Sequence, residues 1–305
     1  MKSENELIVM LGFDCDRPRG EFIFSKEGNI MAERKFKSIN KISCQLKKLK
    51  IPRTYFICGQ FLESMSKRFG AKSLQNIFDV KNDLVEIGDH TYSHSIVKSI
   101  SSRPDKTPSS YSKIKKEFFI NTKLFQEILD LDIPNRGFRT PLGHYNGLKG
   151  ENKLLDVLKE LKINYVSSDL RDKHESLNPP LKNIDGTTRQ PYRYENNLLE
   201  IPTMGWQDTV FSGTTKTPLY EKPPSTYEEI ISYYQTLFEE VKKIILEKNR
   251  SYYLGLTLHP YDNSFYNVKE NFFEDLNKII LKFHGRFASY NDVCNEFNRK
   301  SSENR

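Results

Sequence analysis

The feature that most restricts this chain is a rhythm. Seven short apolar runs recur along its 305 residues, each parted from the next by an amphipathic stretch. They are Leu7 to Phe13, Arg53 to Cys58, Leu84 to Ile87, Gly137 to Arg139, Asn164 to Ser168, Leu198 to Ile201 and Tyr253 to Leu258. Between them Phe36, Ile39, Ile42, Leu46 and Leu49 keep a three-to-four spacing, as do Ile114, Phe118, Phe119, Leu124, Phe125 and Ile128. That period lays one apolar stripe along a helix. Residues 154–161 and 227–246 follow it too, the second behind Pro223 and Pro224 with Ser225 and Glu228 spaced as a capping box. Strand–helix alternation repeated about seven times implies a parallel sheet with helices outside, most simply a barrel. The chain therefore reads as α/β, a single (β/α)7 barrel domain over residues 1–298 with a disordered polar tail at 299–305. Two polar stretches, 170–197 and 208–224, break the rhythm; too short for domains, they read as loops over the barrel mouth.

Composition agrees with a core of that size. Hydrophobic residues make up 37% of the chain, with 20 Phe and 16 Tyr among them. The net charge of +7 favours anionic company: phosphate, an anionic glycan or an acidic membrane surface. The lysines are scattered, however, and a lysine-rich background explains them equally well. No basic stripe or known module supports nucleic-acid binding. The four cysteines, at 15, 44, 58 and 294, form no CxxC and read as reduced thiols. No apolar run suits a signal peptide, and none reaches the roughly 18 residues of a membrane span. The expected location is the cytoplasm, with peripheral contact at the inner membrane face allowed.

In a barrel of this kind the chemistry gathers at the carboxyl ends of the strands. After the first run comes "FDCD", where Asp14 and Asp16 share a face and Cys15 looks away. Two carboxylates that close need a cation, a proton or solvent between them. After the third run His90 and His94 stand four apart, as on one face of a helical turn, a spacing that suits two ligands of one divalent ion. Thr91 occupies the place where HExxH carries its glutamate, so the helix-borne base of that motif is missing. Later run ends bring Arg139 and Pro141, then "YVSSDLRD", then "EIPTMGWQD" with the only tryptophan, and last His259. Taken singly, these features read as an acidic turn and structural histidines. Together, one aspartate and two histidines make a mixed oxygen–nitrogen set for zinc or a similar metal with an open position.

The ordered series FDCD (13–16), HTYSH (90–94), RTPLG (139–143) and TLHP (257–260) resembles the polysaccharide deacetylase, or NodB-homology, superfamily over almost the whole chain. The resemblance implies a distorted seven-stranded β/α barrel holding one divalent metal, zinc first, with cobalt, nickel or manganese as alternatives. It makes Asp14 the catalytic base and Asp16, His90 and His94 the metal ligands. Arg139 would orient Asp14, and His259 would be the general acid.

FDCD replaces the commoner FDDG, which resembles the branch with intracellular peptidoglycan-deacetylase-like and allantoinase-like members. "EIPTMGWQD" is similar to that branch's strand-end motif, making Trp206 a pocket wall and Asp208 a polar contact, with Pro141 also on the substrate side. "DCDRPRG" and "YVSSDLRD" are similar, too, to the formamido-arabinose-lipid deformylase, which acts on an undecaprenyl-phosphate-linked sugar. Asp172, three residues after Asp169, is a candidate support for the catalytic histidine, although Lys173 replaces that motif's tryptophan. His144, just after Gly143, is expected in a solvated loop, with a place facing the mouth as the alternative, and His174 and His284 as surface or structural residues.

The implied activity is removal of an N-acetyl or N-formyl group from an amino sugar, on a nucleotide- or lipid-linked precursor that carries phosphate. The rivals are hydrolysis of a non-sugar amide, such as a ureide or cyclic imide, and a glycan-binding barrel without turnover. Tyr192, Tyr194 and Trp206 lean towards sugar.

Overall fold

Every residue of the first strand, β1 (Leu7–Cys15), is buried, so it lies inside the sheet. In the computed structural model, which describes residues 5–133, 135–178, 180–184, 189–207, 224, 226–260 and 271–303, this strand is the hub. It pairs in parallel with β2 (Arg53–Ile57), β8 (Tyr252–Leu258) and β9 (Gly285–Ala288). From β2 the sheet continues through β3 (Val85–Asp89), β4 (Arg136–His144) and β5 (Ile163–Asp169) to β7 (Leu199–Glu200) and β6 (Tyr192–Arg193). Only the pairing of β6 with β7 is antiparallel among these strands.

The curled sheet is open between its edge strands β6 and β8, and the backbone that leaves β7 bridges from β5 to β8. Ile201 and Thr203 donate their N–H groups to Val166 and Asp169 of β5, at 2.7 and 2.9 Å. Met204 and Gln207 then donate to Gly255 and Thr257 of β8, both at 3.1 Å. Trp206 forms a single parallel bridge with Thr257. The result is the distorted single-domain barrel, with the tryptophan set beside the end of its last long strand.

The outer layer is helical: α1 (Lys26–Lys48), α2 (Gly59–Phe69), α3 (Ala71–Phe78), α4 (Tyr111–Leu129), α5 (Asn152–Glu160), α6 (Pro180–Asn183), α7 (Tyr227–Lys248), α8 (Phe272–Lys282) and α9 (Tyr290–Glu303). The apolar stripe of α1 is buried at Ile39, Ile42 and Leu46, as its spacing requires. The capping box of α7 sits one residue later than expected. Thr226 and Glu229 exchange the two bonds, each 3.2 Å, because Thr226 holds the extended conformation a cap needs. The polar stretch 170–197 carries α6 and β6, and α9 runs to Glu303, past residue 299. No described helix is long and apolar enough to cross a membrane.

Candidate active site

At the carboxyl ends of the strands lies a cavity of about 220 Å³. Asp14, Asp16, His90, His94, Arg139 and His259 all line it, so the barrel gathers side chains from four strand ends into one space. Alternation along β1 turns Asp14 and Asp16 to the cavity and leaves Cys15 fully buried, where loss of solvent pushes its thiol far above the neutral range.

Asp14 is tied down from across the barrel. Arg139 Nη1 donates to Asp14 Oδ1 at 2.9 Å, with both residues buried. The guanidinium lies 4.1 Å from the ring centre of Phe56 and 4.9 Å from that of Tyr290. It also passes close over Gly12, where a Cβ would fall 2.5 Å from Nη2. Only glycine leaves room for the arginine there.

His90 and His94 are not on a helical turn. They belong to an irregular loop in which Thr91 and His94 take left-handed φ values of 58° and 60°. Buried side chains force this path. Asp89 Oδ1 accepts the Thr91 N–H at 2.8 Å, and Thr91 Oγ1 accepts the Ser95 N–H at 2.8 Å. Glu117, buried on α4, accepts from the N–H groups of Tyr92 and Ser93 and from the hydroxyls of Ser93 and Ser95. The loop thus spends its polar groups on carboxylates instead of a helix ladder, and brings the two imidazoles to 4.9 Å between centres, edge to face.

The chemistry of this donor set fits a divalent ion. His90 Nδ1 donates to the Arg139 carbonyl at 2.8 Å, which leaves Nε2 as the basic nitrogen. His94 is pushed down to about 3 by burial and by His90, so its ring is a neutral donor. Burial opposes the charge on Asp16, yet His259, His94 and Lys35 beside it hold the carboxyl well below its usual range. Asp16 Oδ1 is buried with no hydrogen-bond partner, and Oδ2 stands 3.7 Å from His94 Nε2. One carboxylate and two imidazoles form a mixed set of the zinc kind. Among the described residues no group of three or more His, Cys, Asp or Glu is placed so that it could hold a metal ion as it stands.

His259 follows β8, and its Nδ1 accepts the indole N–H of Trp206 at 3.1 Å. Trp206 lines the cavity as well as holding that ring. Asp172 is engaged elsewhere: its carboxylate accepts from the N–H groups of His174 and Ser176 and from the Ser176 hydroxyl, and it is not in the cavity lining. Pro141 is buried in β4 while its neighbours Thr140 and Leu142 line the cavity. Asp208 lies outside the described residues.

The expectation of a solvated His144 is overturned. Strand β4 runs further than its apolar core suggests and pairs His144 with Asp169, leaving the ring 2% exposed. Burial, with Lys98 and Arg171 nearby, pushes it down to about 3. His174 and His284 are exposed. Sequence reasoning passed over Glu117, Arg17 and Arg171. The last two stand in quoted motifs, DCDRPRG and YVSSDLRD, and both line the cavity.

The sequence profile of the polysaccharide deacetylase family matches residues 37–166, a span that takes in His90, His94 and Arg139 but neither Asp14 nor His259. No curated protein sequence matches the chain significantly. Among solved structures, a Mycobacterium smegmatis chain designated a polysaccharide deacetylase is similar over 99% of this chain and 93% of its own, with a TM-score of 0.63 at 15% identity. A Pseudomonas aeruginosa PAO1 chain of the same designation is similar over 98% and 93%, with a TM-score of 0.59 at 13% identity. The PuuE allantoinase is similar over 98% and 92%, with a TM-score of 0.59 at 12% identity. At these identities the likeness is one of fold, and the profile covers less than half of the chain.

Proposed function

We propose that this chain, with its polysaccharide-deacetylase-like barrel, is a metal-dependent amide hydrolase that removes an N-acetyl or N-formyl group from an amino sugar. The observation that carries the reading is convergence. A carboxylate clamped by arginine, an Asp–His–His donor set and a histidine held by tryptophan all face one cavity.

Asp16, His90 and His94 would hold the ion. When bound, such an ion polarises an acyl carbonyl and acidifies a water. The chain's own groups supply the proton traffic. Asp14 stands beside the donor set but is bound to Arg139, which fixes Oδ1 and leaves the second oxygen to take a proton from water. An amide nitrogen leaves only after it gains a proton, and His259, on the β8 side, is placed to supply it. In the resting contact the Trp206 N–H occupies Nδ1. To give up its Nε2 proton without becoming an imidazolate, His259 acts as the imidazolium, with Nδ1 protonated and the Trp206 bond released.

The test is release of free amine over a panel of N-acyl sugars, nucleotide-linked and polyprenyl-linked among them, with a cyclic ureide for comparison. Asp14→Asn should lose turnover and keep its metal, and His90→Ala with His94→Ala should lose the metal. Equal activity in wild type and all of these variants would end the proposal.

A further inference from the structure

The cavity holds a buried cation that the chemistry above does not use. Three arginines line it. Arg139 is matched by Asp14. Arg17 stands at the rim with its side chain 62% exposed, 3.8 Å from Asp16. Arg171 differs from both: it is 5% exposed, and among the described residues it has no ion pair.

Its bonds are to backbone only. Nε donates to the carbonyls of Leu142 and Gly143, each at 3.1 Å, and Nη1 donates to the carbonyl of Glu175. Nη2 takes part in none of them. The two acidic side chains nearby, Glu175 and Asp172, act on Arg171 by charge, but among the described residues neither forms an ion pair with it. Glu175 Oε2 accepts the Ser102 N–H at 2.7 Å, and Asp172 is bound by its own loop. The charged and titratable groups that act on Arg171 from its surroundings are Glu175, Arg103 and Asp172, and the neutral ring of His144 lies within reach.

Carbonyl dipoles orient a guanidinium but do not cancel its charge. An arginine stays protonated at any accessible pH, and the charge of this buried one is answered only at a distance, by Glu175 and Asp172. Structures tolerate that where a ligand brings a charge into contact. Leu142, Leu170 and Leu177 also line the cavity and form its apolar surface. An anion set between leucines and a guanidinium fork would be bound strongly and in a fixed orientation.

We infer that Arg171 is an oxyanion-binding subsite of this pocket, and that the substrate carries a phosphate or carboxylate group on the part recognised beside the ends of β4 and β5. The inference rests on the cavity being the substrate site, as the proposed function has it. It assigns to one residue the recognition of the phosphate that the resemblance implied for the substrate, and it disfavours a neutral ureide.

The test is binding to the metal-free protein, read by calorimetry, with N-acetylglucosamine 1-phosphate and neutral N-acetylglucosamine as probes. Wild type should bind the phosphorylated sugar about tenfold tighter or more. Arg171→Met should erase that preference, Arg171→Lys should keep part of it, and Arg17→Ala should keep most. A nucleotide-linked and a polyprenyl-phosphate-linked N-acyl sugar then tell which source of phosphate fits best. Absence of any preference in the wild type overturns the inference, and so does an Arg171→Met variant that weakens both probes by one factor. Amine release is measured separately. A protein that prefers the phosphorylated sugar yet never releases amine refutes the hydrolase and leaves the subsite standing; turnover without the preference does the reverse.

Discussion

Trp206 donates its indole N–H to Nδ1 of His259 across 3.1 Å, with the two ring centres 5.4 Å apart. The contact joins a residue of the β7–β8 bridge to the end of β8, so closure of the barrel and the state of the histidine depend on one segment. An indole N–H can only donate, which excludes a proton on Nδ1 while the bond lasts.

Trp206→Phe keeps the aromatic wall and removes the donor. Turnover should fall by up to about tenfold, the worth of one hydrogen bond between neutral groups. Nitrogen NMR of the imidazole should show His259 shifting from a single Nε2–H tautomer to a mixture. A variant with the wild-type tautomer would show that the tryptophan only fills space.

Gly12→Ala should harm the site without touching a catalytic group. Its Cβ would press on Arg139 Nη1 and Nη2, at 2.6 and 2.5 Å. The strain should cost about 1–3 kcal/mol, and displacement of Arg139 should release Asp14. Urea unfolding and turnover together check this, and unchanged turnover would mean that the arginine does not position Asp14.

Glu117→Ala leaves four donors of the histidine loop without their acceptor. A loss of about 1–3 kcal/mol is expected for unsatisfied buried groups. Zinc affinity, measured by competition with a chelator, should fall because the loop carries both imidazoles. Intact zinc affinity would place the rigidity of that loop elsewhere.

Stability should depend on pH through Glu200. Burial first, and then the charge of Asp169, raise its carboxyl from 4.5 to about 7 in the folded state. The folded form therefore binds more protons than the unfolded chain between those values. Stability falls as pH rises through that window, by an amount on the order of 3 kcal/mol for a shift of this size. It is highest below pH 4.5 as far as this group is concerned. Glu200→Gln should flatten that slope, as followed by thermal unfolding from pH 4.5 to 8; identical slopes would put the buried charge elsewhere.

Much of this was legible in the chain. A period of two in FDCD told which aspartates share a face, and the recurring runs foretold seven of the nine described strands, all but β6 and β9. What escaped was conformation decided by distant partners. The HxxxH spacing suggests a helix, but Glu117 and Asp89 lie elsewhere in the sequence and reward another path. His144 looked solvated because nothing local says that β4 continues through Pro141 to meet β5. Arg171 was passed over because an isolated arginine gains meaning only when its burial and its lack of an ion pair among the described residues are known.

The position of β1 has a consequence for how the molecule is made. It is made before all of its partners, and two of its three neighbours, β8 and β9, follow only after the other six strands. A strand whose nine residues are all destined for the interior must therefore wait with one edge unpaired. The carboxylates it carries are likewise the earliest parts of the site to exist and the last to be completed. Slow, long-range closure and a period of dependence on chaperones are expected of such an order.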